Sequence, residues 1–515
     1  MNFNLTIIGF GVIGVETLFT LVSKIKKNQK FNIAVIEQNL NNIPGGVAYS
    51  KTSSKFGFFN NPLRLSHPSF KSWINKKENI KKLITFIEKN SNYQLNKWLK
   101  INLKDLMKKY ISKEIYFPRL VYSFYLEEKI IQTIKLLKKK KIKVFYFHGN
   151  LDKVDFNKDC LILNPKSNFT TFKIHNSKRI LKISKTKIKL KLLKSEKIII
   201  GNGLLPPKKI HSSNSSPNNN YIWDFYAEGG TNNLLQKINL IKKKKIILTF
   251  IGNKAGLLET MLQLKRLLSE KKIDIKIVVI SQKAATLNKA EFSKNFKNFK
   301  LSFFNNKQIK NITKANEILV LLKKEFKKAV LKKFNKYDAW TTILKKNILI
   351  KSLSRLNDHE KKKYNLFIFP KIRNITRFTF SETVSAKENL EKNNKIDLFK
   401  GKAISVKKSK NAIYIKTDKK KYLKSDIVIN VSGPVNLNEI NEESNFMKSV
   451  KNNTNKIDKR GFITDKKFML TDQIFIPGVL AYNFNPSRQT IIKAITNNSY
   501  KIVNFLLNNI SKKQL

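Results

Sequence analysis

The feature that most constrains this chain is a glycine-rich turn between an apolar strand and a helix at the start of the sequence. Residues 5–8 are apolar, and the sequence GFGVIG follows directly at residues 9–14. An apolar helical segment then runs to about residue 25, and a second apolar strand over residues 31–36 ends at Glu37. This order of strand, glycine turn, helix, strand and acid is typical of a dinucleotide-binding βαβ unit.

Each residue type in this pattern has a mechanical reason. Gly9 permits the tight turn, Gly11 lets a pyrophosphate approach the backbone, and Gly14 lets the helix pack close to the strand. The N-terminus of the helix directs free N–H groups and the positive end of its dipole at the phosphates. Glu37 stands where an acid accepts hydrogen bonds from a ribose diol. The alternative is an ordinary αβ unit with a glycine-rich turn, which does not require that acid.

A second strand–turn–helix pattern lies in the middle of the chain. An apolar strand over residues 246–251 precedes the turn GNKAG, in which Gly252 and Gly256 flank Lys254. A helical segment and a further apolar strand follow. The glycine pattern is incomplete, because Lys254 stands where a second glycine is usual. We expect an NAD(P) site here, and an ordinary αβ unit remains the alternative.

The end of that further strand bears on the choice of cofactor. It reads SQK at residues 281–283 and has no acid to bind a ribose diol. Lys283 favours a ribose 2′-phosphate, and therefore NADPH over NADH. Because the chain is so rich in lysine, the alternative is that Lys283 is a solvated surface residue that binds no cofactor.

The net charge of +68 raises the question of nucleic-acid binding. Of the 103 basic residues only nine are Arg, and the Lys are spread over the whole length of 515 residues. Specific nucleic-acid sites concentrate Arg and aromatic side chains in one region, and no such cluster stands out. We therefore expect no specific nucleic-acid partner, only a salt-sensitive attraction to polyanions.

Residues able to carry metal or thiol chemistry are few. The chain has one Cys and five scattered His, which argues against an internal disulfide, a Cys-x-x-Cys pair and a zinc site. This cysteine usage indicates a reducing compartment, and we expect a cytoplasmic protein. No segment offers the roughly 18 uninterrupted apolar residues of a membrane-spanning helix.

Four short segments carry a resemblance to a known family. In chain order they are GVAY (46–49), FNNP (59–62), FKSW (70–73) and the Pro-Arg pair 118–119 that is followed by Tyr125. In their order and spacing the chain resembles the FAD/NAD(P)-binding flavoproteins that include HpyO-type urate hydroxylases and CreE-type aspartate N-monooxygenases. The resemblance is most specific over residues 5–130.

The resemblance implies FAD in the first βαβ unit and NAD(P)H in the second. Gly9, Gly11, Gly14 and Glu37 would hold the ADP half of FAD. The further positions implied near the flavin, the substrate or the second cofactor are Gly45, Gly46, Asn60, Arg119, Gly252, Gly256, Lys283 and Gly478. One position departs from the family pattern, because Val479 follows Gly478 where many such flavoproteins have an Asp that binds the ribityl chain.

The expected fold class is α/β, a Rossmann-like flavoprotein with two dinucleotide-binding regions and helical insertions. A discontinuous FAD-binding domain is expected over residues 1–215 and 420–515, with a helical segment at about 78–140. A nested NAD(P)-binding and helical substrate region is expected over residues 240–419.

The function implied is that of an FAD-dependent, NAD(P)H-using monooxygenase. It would act through a flavin C4a-hydroperoxide on a small polar substrate, such as an amino acid, an amine or a purine-like compound. A flavin-dependent dehydrogenase or reductase without oxygen insertion and a nucleotide-binding protein without turnover remain alternatives. The single Cys excludes a dithiol flavoenzyme. No catalytic residue is assigned, because the flavin carries the chemistry.

Overall fold

The computed structural model describes the whole chain except residues 52–56, 60, 90–91, 109–110, 112–113, 158, 178–179, 202, 204, 211–219, 254, 271–272, 283–287, 410–411, 441–443, 459–460, 462, 464, 466, 479, 481–490 and 514–515. The strands are β1 (Asn2–Ile8), β2 (Asn32–Glu37), β3 (Lys143–His148), β4 (Leu151–Phe156), β5 (Leu161–Pro165), β6 (Phe169–Ser177), β7 (Ile180–Leu190), β8 (Leu193–Ile200), β9 (Tyr221–Ile222), β10 (Lys245–Ile251), β11 (Asp274–Ser281), β12 (Asn288–Ala290), β13 (Phe378–Phe380), β14 (Ile396–Lys400), β15 (Ala403–Ser409), β16 (Ala412–Thr417), β17 (Tyr422–Ser425), β18 (Ile427–Asn430) and β19 (Ile474–Phe475). The helices are α1 (Val12–Lys24), α2 (Gly46–Tyr49), α3 (Pro68–Ile74), α4 (Lys77–Lys89), α5 (Tyr93–Leu106), α6 (Leu120–Lys140), α7 (Gly230–Leu240), α8 (Ala255–Glu270), α9 (Ala315–Leu331), α10 (Lys336–Lys345), α11 (Ile348–Ser354), α12 (Asp358–Lys363), α13 (Phe369–Ile375), α14 (Ser381–Lys392), α15 (Asn445–Lys451) and α16 (Ile491–Lys513).

Among the described residues, the larger sheet has nine strands, and it carries the N-terminal glycine turn at its parallel centre. Its order is β4-β5-β8-β1-β2-β3-β6-β7, and β19 pairs with β8. Strands β8, β1, β2 and β3 run parallel, whereas β4–β5 and β6–β7 add antiparallel pairs at the two ends. Strands β1 and β2 are buried along most of their length, as central parallel strands are. We call the part of the chain that carries this sheet the first module.

Helix α1 connects β1 to β2 and packs against α6 and α16. Its buried residues include Val15, Leu18 and Leu21, which recur at intervals of three and bring one apolar stripe inward. The helical segment expected at about 78–140 contains α4, α5 and α6. Helix α1 is thus enclosed by elements from distant parts of the sequence.

The second sheet has five strands, all parallel, in the order β14-β11-β10-β18-β9. Helix α8 connects β10 to β11 and follows the second glycine turn. The antiparallel sheet β15-β16-β17 lies beside it and shares a small apolar core with Ile251 and Val428. We call the part of the chain that carries the five-stranded sheet the second module.

Helices α9 to α13 form a helical region with an apolar core of its own, which includes Leu322, Phe326 and Ile343. This region contacts the first module: the hydroxyl of Tyr337 in α10 donates a hydrogen bond to Oε2 of Glu114 in the first module at 3.3 Å. The β-sheet pairing also bears on the expected domain limits. Strand β18 follows residue 420 but belongs to the five-stranded sheet, so this sheet extends past the expected division at that residue. The domain limits as a whole stay a prediction.

Candidate dinucleotide sites at the two glycine turns

The first glycine turn joins β1 to α1 in a closely packed arrangement. Gly9 has a φ of +89°, and its N–H donates to the carbonyl of Ile36 at 2.8 Å. A β-carbon added at Gly14 would lie 2.1 Å from the carbonyl oxygen of Gly9. The tight turn and the close packing expected of these two glycines are therefore present, and their binding of a cofactor stays a prediction.

Glu37 ends β2 beside this turn, with its carboxylate directed at the backbone. The N–H of Phe10 donates to Oε2 at 2.7 Å, and the N–H of Asn39 donates to Oε1 at 2.9 Å. Burial raises the pKa of Glu37, while these N–H donors oppose the shift. A carboxylate offers about four acceptor positions, so acceptor capacity remains for the two hydroxyls of a ribose. The residues present thus fit the ADP half of a dinucleotide.

Gly45 and Gly46 lie directly against the first glycine turn. Gly45 forms an isolated parallel bridge with Gly11, and a β-carbon added at Gly11 would lie 3.1 Å from the α-carbon of Gly46. Both Gly45 and Gly46 have positive φ angles, at which L side chains are strained. Glycine is therefore needed at position 11 to admit the neighbouring chain segment, in addition to the reason given by the approach of a pyrophosphate.

The ends of β8 and β19 meet the first turn of α1 at Ile13. A β-carbon at Gly201 would lie 3.1 Å from Cγ2 of Ile13, and one at Gly478 would lie 2.8 Å from its Cδ1. The N–H of Gly201 donates to the carbonyl of Ile8 at 2.7 Å. In open α/β sheets, ligands bind outside the carboxyl ends of the strands. Gly478 therefore lies at the expected edge of the sheet, and its contact with cofactor stays a prediction.

The second glycine turn packs against the segment that follows β18. Gly252 has a φ of +106°, and its N–H donates to the carbonyl of Ile280 at 2.8 Å. A β-carbon at Gly252 would lie 2.6 Å from the α-carbon of Ser432, and one at Gly256 would lie 2.7 Å from Cγ1 of Val431. The turn is built like the first one, and it lies at the carboxyl edge of the second sheet.

Arg119 is buried next to the first module's glycine segments and is engaged by protein groups. Its Nη2 lies 2.9 Å from Oε1 of Glu259, and its Nε donates to the carbonyl of Phe58 at 2.9 Å. The hydroxyl of Tyr226 donates to the same Oε1 at 3.2 Å. Burial alone would lower the pKa of Arg119, but Glu259, Tyr226 and Tyr49 raise it. The role predicted for Arg119 in binding cofactor or substrate remains untested.

Glu259 and Tyr226 were not identified from the sequence. One signal was available: Glu259 is an acidic residue on the buried side of α8, three positions after Gly256. A charged residue on a buried helix face needs a partner, although sequence does not indicate which one. Two of the predicted site residues, Asn60 and Lys283, and also Val479, lie outside the described residues.

Metal ligands and membrane-spanning helices are two further features that bear on function. In the part of the chain that the structure describes, no cluster of His, Cys, Asp and Glu is suited to a metal ion. Within the same residues, no helix is long and apolar enough to cross a membrane.

Comparison with known proteins supports the fold. Residues 6–173 match a family model described as FAD-NAD(P)-binding, and no curated protein matches the chain. The chain is similar to ornithine N-hydroxylase from Kutzneria sp. 744 in a structure with reduced FAD, NADP+ and L-ornithine. That likeness has 9% identity and a TM-score of 0.51, and it covers 99% of this chain and 100% of the other.

Two further structures are more distant. An FAD-bound cadaverine monooxygenase from Erwinia amylovora has 10% identity and a TM-score of 0.47, with 99% of this chain and 95% of the other covered. A bacillithiol disulfide reductase from Bacillus cereus has 11% identity and a TM-score of 0.41, with 99% and 100% covered. The predicted fold class, α/β with Rossmann-like dinucleotide-binding units, is confirmed by the parallel strands of both sheets and agrees with the family model and with the fold of the N-hydroxylase. The family model also accords with the expected cofactors, FAD and NAD(P)H.

Proposed function

We propose that this protein is an FAD-dependent oxidoreductase that uses NAD(P)H and inserts oxygen into a small polar substrate. The observation that carries the proposal is the pair of glycine turns, each at the carboxyl edge of the parallel strands of its own sheet. An enzyme that passes hydride from one dinucleotide to another needs two such sites.

The first module supplies the groups that would hold FAD. The N-terminus of α1 would face the phosphates of FAD, and Glu37 would accept hydrogen bonds from its ribose. Gly45 and Gly46 lie beside that turn, and Asn60 is proposed to contact the flavin. When bound, FAD would accept hydride and react with oxygen, and the protein's part is to bind, orient and exclude water.

The second module supplies the proposed site for NAD(P)H. The turn from Gly252 to Gly256 precedes α8, whose N-terminus would face the pyrophosphate. Lys283 is proposed to bind the 2′-phosphate of NADPH. The domain limits proposed are residues 1–215 with 420–515 for FAD, and 240–419 for NAD(P)H and substrate, except that β18 joins the sheet of the second module.

Oxygen insertion is favoured over disulfide reduction because the chain has a single Cys and so lacks a redox-active dithiol. The resemblance to HpyO-type and CreE-type enzymes and the likeness in fold to an N-hydroxylase agree with this choice. Together they suggest amino acids, amines and purines as substrate classes, the purines from the urate hydroxylases alone. A dehydrogenase or reductase without oxygen insertion is the second candidate, because it would need the same two glycine turns.

The first experiment asks whether each module binds its cofactor. The purified protein should be yellow, or become so with added FAD, and NADPH or NADH should bleach it under anaerobic conditions. Gly252→Ala should abolish bleaching by NADPH yet retain FAD, because the added β-carbon would clash with Ser432 only in the second module. A colourless protein that takes up no FAD would contradict the proposal.

The second experiment separates the two candidates. Amino acids, amines and purines are screened for stimulated NADPH oxidation, with oxygen consumption followed in parallel. Substrate-dependent oxygen consumption with a hydroxylated product supports the monooxygenase. Bleaching by NADPH followed by electron transfer to another acceptor, with no oxygenated product, would support the reductase instead.

A further inference from the structure

A buried ion pair joins the two modules between their glycine turns. Arg119 lies immediately before α6 in the first module, and Glu259 lies in the second turn of α8 in the second module. Only 9% of Arg119 and 8% of Glu259 is exposed, and their charged groups are 2.9 Å apart. Both charges are therefore desolvated and depend on each other.

Each side of the pair is held by its own module. On the first side, Arg119 donates through Nε to the carbonyl of Phe58 and through its backbone N–H to the carbonyl of Gly57, each at 2.9 Å. On the second side, Tyr226 donates to Glu259 at 3.2 Å. A planar guanidinium can make these contacts at once because its donors are fixed in a fork.

The three chain segments at the pair approach one another closely. A β-carbon added at Gly57 would lie 3.1 Å from Cδ of Arg119 and 3.3 Å from Cδ of Glu259. The contact surface therefore has little room for relative movement of the two modules.

Short connections link the pair to both glycine turns. On the first side, Gly46 touches Gly11 and begins the single-turn helix α2, which ends at Tyr49. Tyr49 is partly buried and lies within electrostatic reach of both Arg119 and Glu259. On the second side, Glu259 follows Gly256 by less than one helical turn. A shift at the pair would therefore displace one nucleotide turn relative to the other.

We propose that Arg119 and Glu259 are positioning residues that fix the second glycine turn relative to the first and so align the nicotinamide with the flavin for hydride transfer. This inference rests on the proposed function. Buried ion pairs contribute little net stability but can specify an arrangement, which is the role assigned here. A displacement of about 1 Å can slow a reaction by about 10²-fold, so loss of alignment should be visible in the rate.

The test compares Arg119→Met, Glu259→Met and the double variant R119M/E259M. Either single variant leaves one buried charge unpaired and should fold poorly. The double variant removes both charges and should recover folding, FAD binding and reduction by dithionite. Its anaerobic reduction by NADPH should stay about 10²-fold slower than in the wild type. Reduction by NADPH at the wild-type rate in the double variant would overturn the inference.

Two further variants calibrate that comparison. Arg119→Lys keeps the positive charge but not the forked guanidinium, so its reduction by NADPH should be faster than in the double variant and slower than in the wild type. Lys97→Met removes a second ion pair, in which Lys97 of α5 lies 2.6 Å from Glu382 of α14, but both side chains there are about a third exposed. That variant should retain the wild-type rate within about twofold, because exposed pairs contribute little. An equal loss in K97M would overturn the specific role of the buried pair.

Hydrogen exchange tests the coupling without any reaction. In the double variant R119M/E259M, which should fold, exchange should accelerate both in α8 and in the backbone around residues 57 and 119. Acceleration confined to α8 would overturn the coupling. A wild-type protein that holds FAD but is reduced by neither NADPH nor NADH would instead overturn the proposed function, and with it the role of the pair in hydride transfer. The exchange result would still decide whether the pair couples the two modules.

Discussion

At Glu37, burial and hydrogen bonding act in opposite directions on one carboxyl group. Burial raises its pKa, and the backbone N–H groups of Asn39, Phe10 and Gln38 oppose that shift. The net shift is upward, so the folded protein without a dinucleotide holds the proton of Glu37 more tightly than the unfolded chain does. A ribose diol would add hydrogen-bond donors to the charged form.

This balance predicts a pH-dependent effect of Glu37→Gln. An acid with a raised folded-state pKa stabilises the protein most below its unfolded pKa, here near 4.5, and loses that contribution as pH rises through the folded pKa. The free energy of unfolding of the wild type relative to E37Q should therefore fall as pH rises through this window and then level off. Urea unfolding of the FAD-free proteins at several pH values measures the difference. A difference independent of pH would contradict the prediction.

Gly14→Ala should be strongly destabilising, because its added β-carbon would lie 2.1 Å from a backbone oxygen. The turn offers no flexible side chain that could move away, so we expect a loss of about 1–3 kcal/mol or more, together with loss of FAD binding. Gly203→Ala is the matched control. It has a φ of +74° but no atom within 4 Å, so it should cost about 1–2 kcal/mol from backbone strain alone and retain FAD binding. Equal effects in urea unfolding would contradict the steric argument.

At the scale of elements, α1 and α6 are joined by a buried ion pair. Glu16 of α1 pairs with Lys129 of α6, and the hydroxyl of Tyr122 donates to Oε1 of Glu16 at 3.4 Å. The side chain of Glu16 is 1% exposed and that of Lys129 is 10% exposed. The pair fixes the long helix α6 against the helix that begins at the first glycine turn.

Lys129→Met should therefore destabilise the first module by about 3–5 kcal/mol, because it leaves the carboxylate of Glu16 buried without its cation. The double variant E16Q/K129M should recover much of that loss in thermal or urea unfolding. Lys51→Met is the control, because Lys51 also pairs with a residue of α6, Glu127. The side chains of Lys51 and Glu127 are 35% and 26% exposed, so this pair should contribute at most about 1 kcal/mol. Similar losses in K129M and K51M would show that burial does not decide the effect.

At the scale of the whole molecule, the charge of +68 should produce binding to polyanions without selectivity. We expect retention on heparin and on duplex DNA, with an affinity that falls steeply as salt rises because bound counterions are released. DNA duplexes of unrelated sequence should bind equally in a competition assay. Selective binding that survives raised salt would instead revive a nucleic-acid function.

The sequence alone determined much of the architecture. The apolar runs and glycines of residues 5–14 and 246–256 predicted two strand–turn–helix units, and the structure contains both. Such patterns can be recognised because hydrophobic period and turn chemistry are local properties of a chain. The same kind of local pattern predicted Glu37 as the ribose-binding acid, from its position at the end of a strand.

Only the tertiary structure brought the distant groups together. Nothing in the sequence around Arg119 indicates Glu259, which lies 140 positions later, or shows that the segment at Gly45 packs on Gly11. Pairing of this kind depends on how the two modules dock, and many docking arrangements are compatible with the same local patterns. The sequence therefore determined the two strand–turn–helix units, and the tertiary structure decided how they are joined, because a buried charge must find its partner wherever the fold places one.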